Sequence, residues 1–328
     1  MSKWANEKFV RAVGLTLGLA LALVVGSQRK PGPVSHEELA LRYAPIIYQG
    51  AATSQDYITA LDFDGDWIGN NNWENQPTGD LTAYVYYSTI ESETHWFLFY
   101  SLFHPRDYIQ WGDCATEGGC HENDMESIQL VVEKDGTTFG RLVVMETLAH
   151  GDIYLYTLDD DDSVAAGYLR RDGVIRQEQG HPMIFVEVAG HGIRGRPVPS
   201  FGGQVIYRAS REAQIPDVST REPVAYELTP IYTSLWARRS DAGDGHTFDG
   251  PFSYRGRTLP AAIDGVDFGV DRANTPWGYN QASGEELSRG DWFLDPAKAV
   301  AYHADFAGDF SLDYVYNPYL DDLGLSEP

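Results

Sequence analysis

Short apolar runs, broken by Gly, Asp, Asn and Pro, set the rhythm of this chain. Leu81 to Ile90 is rich in Tyr, Val and Thr, and Thr94 to Phe103 is aromatic on both faces, as a strand buried on both sides would be. Ser127 to Glu133 alternates in part, and Lys134-Asp135-Gly136 then marks a hairpin turn into Phe139 to Leu148. Asp152 to Leu158 and Met183 to Ala189 read as further strands. His36 to Arg42 reads as a short helix, with Ser35 at the N-cap position. Many short strands with turn punctuation, and few βα alternations, predict an all-β dominated fold: an antiparallel β-sandwich with long loops and a few short helices.

The pattern divides the chain into three parts. Residues 1–26 carry Lys3, Lys8 and Arg11, then the apolar run Ala12 to Val25, which reads as a signal peptide or signal-anchor. That run falls short of the ~20 residues of a membrane-spanning helix. Residues 27–36 (SQRKPGPVSH) form a linker. Residues 37–328 form a single β-rich domain, with a motif-bearing core over about 41–195 and a loop-rich part over about 196–328. The expected location is secreted or membrane-anchored, with the main domain outside the cytoplasm and membrane contact only through the N-terminal segment if it stays uncleaved.

Composition narrows the partners. The 328 residues include 48 Asp plus Glu against 24 Lys plus Arg, a net charge of -24. That charge repels phosphate backbones, so no nucleic acid is expected. It is also consistent with a plain solubilising surface, or with carboxylates that hold hard cations. The two cysteines, Cys114 and Cys120, share one Gly-rich loop. An exported chain makes a disulfide the favoured reading, with two metal-binding thiolates as the alternative.

The chemistry concentrates in Cys120-His121-Glu122-Asn123-Asp124-Met125-Glu126, immediately before an apolar strand. With a strand starting near Asp124, Asp124 and Glu126 share one face. A Cys114–Cys120 bridge would fold Asp113 back beside His121. Carboxylates gathered this way repel one another without a cation, which points to a divalent ion, Mg or Ca above Zn; an exposed acidic loop is the alternative.

A second segment, Asp62-Phe63-Asp64-Gly65-Asp66 through Trp73, alternates Asp but lacks the Gly and Glu positions of an EF-hand. It reads as an Asx-rich turn packed by Trp67 and Trp73, or as a second cation or sugar-binding loop of Asp62, Asp64, Asp66 and Trp73. Asp159 to Asp162 reads as a solvated loop. His104, His150 and His191 each follow a strand, the latter two beside Gly, and are the candidate catalytic residues; Arg106 is placed at the rim of their cleft. His246 and His303 are weaker candidates.

The 120–126 segment resembles the GHRHDWE heptapeptide of the necrosis- and ethylene-inducing-like (NLP) cytolysins, and is similar to a segment of the vacuolar-protein-sorting sixty-two group. What the resemblance implies is a divalent-cation site at His121, Asp124 and Glu126, with Asp113 joining from eight residues upstream. Cys120, Glu122, Asn123 and Met125 depart from the heptapeptide; the missing second His means that cytolysis does not carry over. His181 to Gly192 also resembles a Gly-His segment of the sorting group, and Tyr43-Ala44-Pro45 fits the same order, so the likeness spans about 41–195. It implies cation-assisted recognition of a glycan or lipid headgroup. The different-class alternative is a metal-dependent hydrolase acting on an ester, phosphodiester or glycosidic bond, with the three His as acid–base groups.

Overall fold

The computed structural model describes residues 34–109, 111, 120–158, 163–199, 202–220, 222–239, 251–254, 257–262, 276–277 and 289–325. The segment read as a signal peptide or signal-anchor, Asp113, Cys114, Asp159 to Asp162 and His246 lie outside them. No helix among the described residues is long and apolar enough to cross a membrane.

The helix His36–Tyr43 begins inside the stretch read as linker, with Ser35 and Glu38 forming a reciprocal capping box. The strands are β1 Ile46–Ala51, β2 Tyr84–Ser92, β3 His95–Asp107, β4 His121–Glu133, β5 Arg141–Ala149, β6 Asp152–Thr157, β7 Val164–Ala166, β8 Arg171–Val174, β9 Gln177–Glu178, β10 His181–Val186, β11 Ile193–Arg194, β12 Gly203–Ala209 and β13 Val224–Pro230. Beyond them lie β14 Pro251–Tyr254, β15 Arg257–Ala262, β16 Ala304–Phe306 and β17 Tyr314–Tyr316.

The antiparallel sandwich expected from the sequence is corrected here. One large sheet runs in the order β11-β10-β1-β12-β13-β2-β3-β4-β5-β6-β8, and it is mixed. The meander β2 to β6 is antiparallel, whereas β1–β10, β12–β13, β13–β2 and β6–β8 pair in parallel. The reason is local. Hairpins announce themselves by short turns, while parallel pairs need long connections that leave no turn signature. The part after residue 195, read as loop-rich, supplies β12 and β13, which lie in the middle of this order.

The sheet curls, so that its edge strand β11 returns towards β5 and β6. Arg194 stacks over the Tyr154 ring at 3.9 Å, and a side chain at Gly195 would collide with Met145 and Tyr156. The inner face packs Ile47, Leu98, Tyr100, Ile128, Ile184 and Tyr207 with their neighbours from other strands. The outer face of β2 to β5 is covered by Trp236 and by helices Arg289–Leu294, Pro296–His303 and Pro318–Asp322, through Trp292, Phe293, Val300 and Tyr319. On β3 and β4, Leu102 and Ile128 belong to the inner cluster, while Phe103 and Met125 belong to the outer one. His104 and Asp124, in phase with the former, therefore face inward.

Candidate functional site

Register creates the site. β3 runs past Phe103, where the sequence suggested a loop, through Pro105 to Asp107. It pairs His104 with Asp124, Arg106 with Glu122, and Asp107 with His121. His121 is thus the first residue of β4 rather than a loop residue preceding it. Asp107 and Asp124, which the sequence does not connect, come together with His121. One ligand atom of each lies within 4.8 Å of the others.

His121 is oriented by its own backbone. Its Nδ1 lies 2.9 Å from the Glu122 carbonyl, which accepts a proton from that nitrogen. Nε2 is left to face Asp107 Oδ2 at 3.6 Å. Metal-binding histidines are commonly held this way, one nitrogen on a carbonyl and the other on the ion. Burial and the charge of Asp124 push the Asp107 carboxyl up to about 7, although His121 and His191 pull the other way. A cation there would remove the conflict.

A second grouping, His104 with Asp124 and His191, fits a cation poorly. His191 Nδ1 lies 2.8 Å from Asp124 Oδ2 and its Nε2 lies 3.2 Å from Asp56 Oδ1, so both nitrogens donate and no lone pair remains. Burial opposes a charged ring, but the bonds to Asp124 and Asp56 outweigh it and raise His191 to about 10. His104 stacks on His191 with ring centroids 3.8 Å apart. Burial, followed by the charge of His191, drives its pKa well down, so His104 is neutral. Its Nε2 lies 3.0 Å from Gln49 Nε2, which donates to it.

Asp56 is the least expected participant. It lies in a short 3-10 turn with Thr53 at the N-cap. Its Oδ1 accepts from Ala189 N at 2.7 Å as well as from His191, and its Oδ2 accepts from Ala52 N, Thr53 N and Tyr108 Oη. Despite burial, these bonds hold the Asp56 carboxyl at about 2. The only sequence signal was the Thr53-x-x-Asp56 spacing of a capping box.

The backbone is strained here. Asn123, His150, Ala189 and His191 all have positive φ, between 52° and 72°. Such conformations cost side-chain-bearing residues ~1–3 kcal/mol each and cluster at functional sites. Gly190 and Gly192 let the 187–192 turn close on residue 150, because a Cβ at either would meet His150 at 2.8 or 3.0 Å. His150 Nε2 reaches Glu187 Oε2 at 2.8 Å, and Arg194 Nε donates to Glu187 Oε1 at 3.1 Å. The bond to Glu187 outweighs burial and raises His150 to about 9.

The three candidate histidines therefore gather at one end of the sheet, in different states: His104 buried and neutral, His191 buried and charged, His150 half-exposed and paired. Glu126 sits on the inner face with Asp124, and its Oε1 accepts from His150 N at 3.2 Å. It is not in the 4.8 Å grouping of Asp107, His121 and Asp124. Asp113 and Cys114, and with them the expected bridge to Cys120, lie outside the described residues.

The second acidic segment acts as a buttress. Asp64 Oδ2 accepts from Asn75, while Asp66 accepts from Ile68 N and Asn71, which makes these two carboxylates turn-holding groups. From that turn, Trp73 N donates to Glu122 Oε1 at 2.7 Å and Asn72 Nδ2 to Asn123 Oδ1 at 2.9 Å. The Arg106 guanidinium lies 3.6 Å from the centre of the Trp73 ring. Asp62 takes no part in this clamp and lines a separate cavity.

Comparison with family models gives no match, and neither does comparison with curated proteins. Among solved structures, the chain is similar to a non-toxic HaNLP3 protein, at 15% identity over 66% of this chain and 85% of that one, with a TM-score of 0.36. NLPPya in complex with glucosamine matches at 15% identity over 76% of this chain and 89% of that one, with a TM-score of 0.39. Necrosis and Ethylene inducing Protein 2 from the causal agent of cocoa's witches' broom disease matches at 17% identity over 52% and 74%, with a TM-score of 0.32. These belong to the group whose heptapeptide the 120–126 segment resembles. At such scores no site or activity is transferred from them.

Proposed function

We propose that this chain is an exported recognition protein that binds one divalent cation, Mg or Ca, and uses its open coordination positions to take hydroxyl or phosphate oxygens of a glycan or lipid headgroup at a cell surface. The observation that carries this reading is the convergence of Asp107, His121 and Asp124, with His121 Nε2 oriented and Asp107 unable to ionise comfortably beside Asp124. Two carboxylates and one imidazole form an oxygen-rich set suited to a hard ion. Asp113 and Glu126 are retained as further ligands. The Cys114–Cys120 bridge is retained as a brace for the loop between them.

Binding is favoured over the alternative, hydrolysis, by the state of the histidines. His104 and His191 are sealed from solvent, and His191 has spent both nitrogens on carboxylates. A general acid or base must exchange protons with a substrate; of the three, His150 alone has substantial exposure, and it is held by Glu187.

Elemental analysis of the purified chain, with calorimetric titration of Ca²⁺ and Mg²⁺ into chelator-treated protein, tests the reading. One divalent ion per chain, and cation-dependent binding to glycan or headgroup vesicles without turnover, is the expected result. Absence of any divalent binding defeats the cation site. Chelator-sensitive turnover of an ester, phosphodiester or glycoside replaces recognition with the hydrolase.

A further inference from the structure

The hydrogen bonding along one edge of β2 is interrupted. β3 occupies one edge of β2, and β13 and β17 share the other. β13 ends where Pro230 pairs with Tyr87, and β17 pairs no further than Tyr316 with Glu91. On that shared edge Ile231 N donates to Tyr87 O, and Glu93 N donates to Asp313 O. Strand alternation therefore turns the N–H and C=O of Thr89, midway between them, to the same edge and away from β3. Thr89 is 6% exposed, and no described residue on that edge bonds to either group. Buried main-chain groups are nearly always paired, so this donor and acceptor mark a place for another backbone.

The interruption opens into a cleft of ≈ 160 Å³ lined by Tyr87, Thr89, Pro230, Tyr232, Tyr316 and Tyr319, with His36 beside them. Tyr232 and Tyr316 are each 38% exposed. Both rings are braced from behind. Tyr232 packs edge-on against Tyr319 at 5.7 Å, and the Tyr319 hydroxyl lies 2.8 Å from Ser88 Oγ. Tyr316 lies 4.4 Å from the His36 ring, which Glu91 holds at 3.1 Å. Burial, with the charge of Glu37 at Tyr87 and those of Tyr232 and Asp321 at Tyr316, pushes both phenols up. Glu37 and Asp321 are exposed, so the rim of the cleft is acidic. The cation site is remote: Thr89 pairs with Leu98, which stands ~30 Å before Asp107 along β3.

The volume falls below the ~300–1,000 Å³ of small-molecule sites, and suits a single side chain. An unpaired strand N–H and C=O, flanked by aromatic rings, is the chemistry by which proteins take an added strand of peptide. We infer that this cleft docks an extended peptide segment of a partner protein. One residue of the segment exchanges both main-chain bonds with Thr89, an apolar side chain enters between Tyr232 and Tyr316, and flanking Lys or Arg residues meet the acidic rim. The net charge of -24 favours the same basic partner.

Selection of phage-displayed random heptapeptides on the full chain, in the presence of EDTA, provides the test. Enriched peptides should share an apolar residue flanked by Lys or Arg, and should bind equally with and without the chelator, which keeps this result separate from that of the cation site. The Tyr232→Ser/Tyr316→Ser variant should still melt cooperatively and lose the selected peptide. A scan of that peptide with main-chain N-methyl groups reads the Thr89 contact without altering the protein. One position should weaken binding about tenfold, because the buried Thr89 carbonyl then loses its donor. No enriched sequence, undiminished binding by the double variant, or a scan with no sensitive position each overturns the inference. Peptides that bind only when Ca²⁺ is restored belong to the cation site and likewise overturn it.

Discussion

Two buried histidine–carboxylate constellations can be compared in this molecule, and only one of them looks like a working site. On the outer face, His303 Nδ1 meets Glu146 Oε1 at 2.9 Å, and Trp292 Nε1 donates to Glu146 Oε2 at 2.5 Å, all within the apolar cluster under the C-terminal helices. On the inner face, His191 bridges Asp124 and Asp56 and stacks on His104. Both sets are sealed from solvent. The outer set lies on regular strand and helix, with each Glu146 oxygen matched to a donor. The inner set sits among four left-handed non-glycine residues and beside a carboxylate, Asp107, whose charge conflicts with Asp124. Burial of a hydrogen-bonded histidine and carboxylate is therefore a poor marker of function. Strain combined with charge that the protein itself leaves uncompensated is a better one.

Breaking each constellation should separate them. His191→Ala leaves Asp124 and Asp56 buried without their shared cation, at a cost of about 3–5 kcal/mol. Added Ca²⁺ should recover part of that loss, because a cation beside Asp107 and Asp124 restores positive charge. His303→Ala should cost about 3 kcal/mol, since Glu146 keeps Trp292, and Ca²⁺ should recover none of it. Urea denaturation with and without Ca²⁺ reads both. An equal response to Ca²⁺ in the two variants would erase the distinction.

A smaller effect sharpens the assignment of Asp107. At a cation concentration a hundred times Kd, the wild-type chain should gain about 2.7 kcal/mol of stability. Asp107→Asn and His121→Ala should each abolish most of that gain, as measured by thermal melting in Ca²⁺ and in chelator. Glu146→Gln should leave it intact. A full Ca²⁺ response in Asp107→Asn would remove Asp107 from the site.

How much of this was legible in the sequence depends on whether the signal was local. The β2–β3–β4–β5 meander could be read because aromatic runs, alternation and the Lys134-Asp135-Gly136 turn lie next to one another. His121 and Asp124 stood out as a dense motif ahead of an apolar strand. Asp107 did not, because the aromatic run stops at Phe103 and the strand was read as ending there; the register with β4 exists only once β3 continues to Asp107. Asp56 reaches Ala189 and His191 from far away in sequence, and nothing near it hints at that role. The sandwich reading failed for the same reason. Four pairings of the sheet are parallel, and their partners are brought together by long connections rather than by turns.

The strain itself can be tested at Ala189, whose φ is 72° and whose side chain carries no polar group. Ala189→Gly removes the steric cost of the left-handed conformation, which is about 1–2 kcal/mol, against a Gly entropy penalty of about 0.5–1 kcal/mol. A net gain of about 1 kcal/mol in chemical denaturation is expected, with the Ala189 N to Asp56 bond retained. A loss of stability would mean that the turn is not strained.

The smallest expected effect concerns the exposed end of the inner constellation. His150 is raised to about 9, and its side chain is 54% exposed, so its pair with Glu187 is worth under about 1 kcal/mol after solvent screening. Because the folded-state value lies above the ordinary 6.5, the contribution is complete below about pH 6.5 and disappears as pH rises through 9. Glu187 is lowered, first by His150, so its share is present above the ordinary carboxylate value and is lost only in acid. The stability difference between wild type and His150→Gln should therefore be widest between about pH 5.5 and 6.5 and close by about pH 10. Arg194 still holds Glu187 in the variant, which keeps the turn folded and isolates the His150 contribution. A difference that stays constant from pH 6 to 10 would show that residue 150 acts through packing against Gly190 and Gly192, with no contribution from its charge.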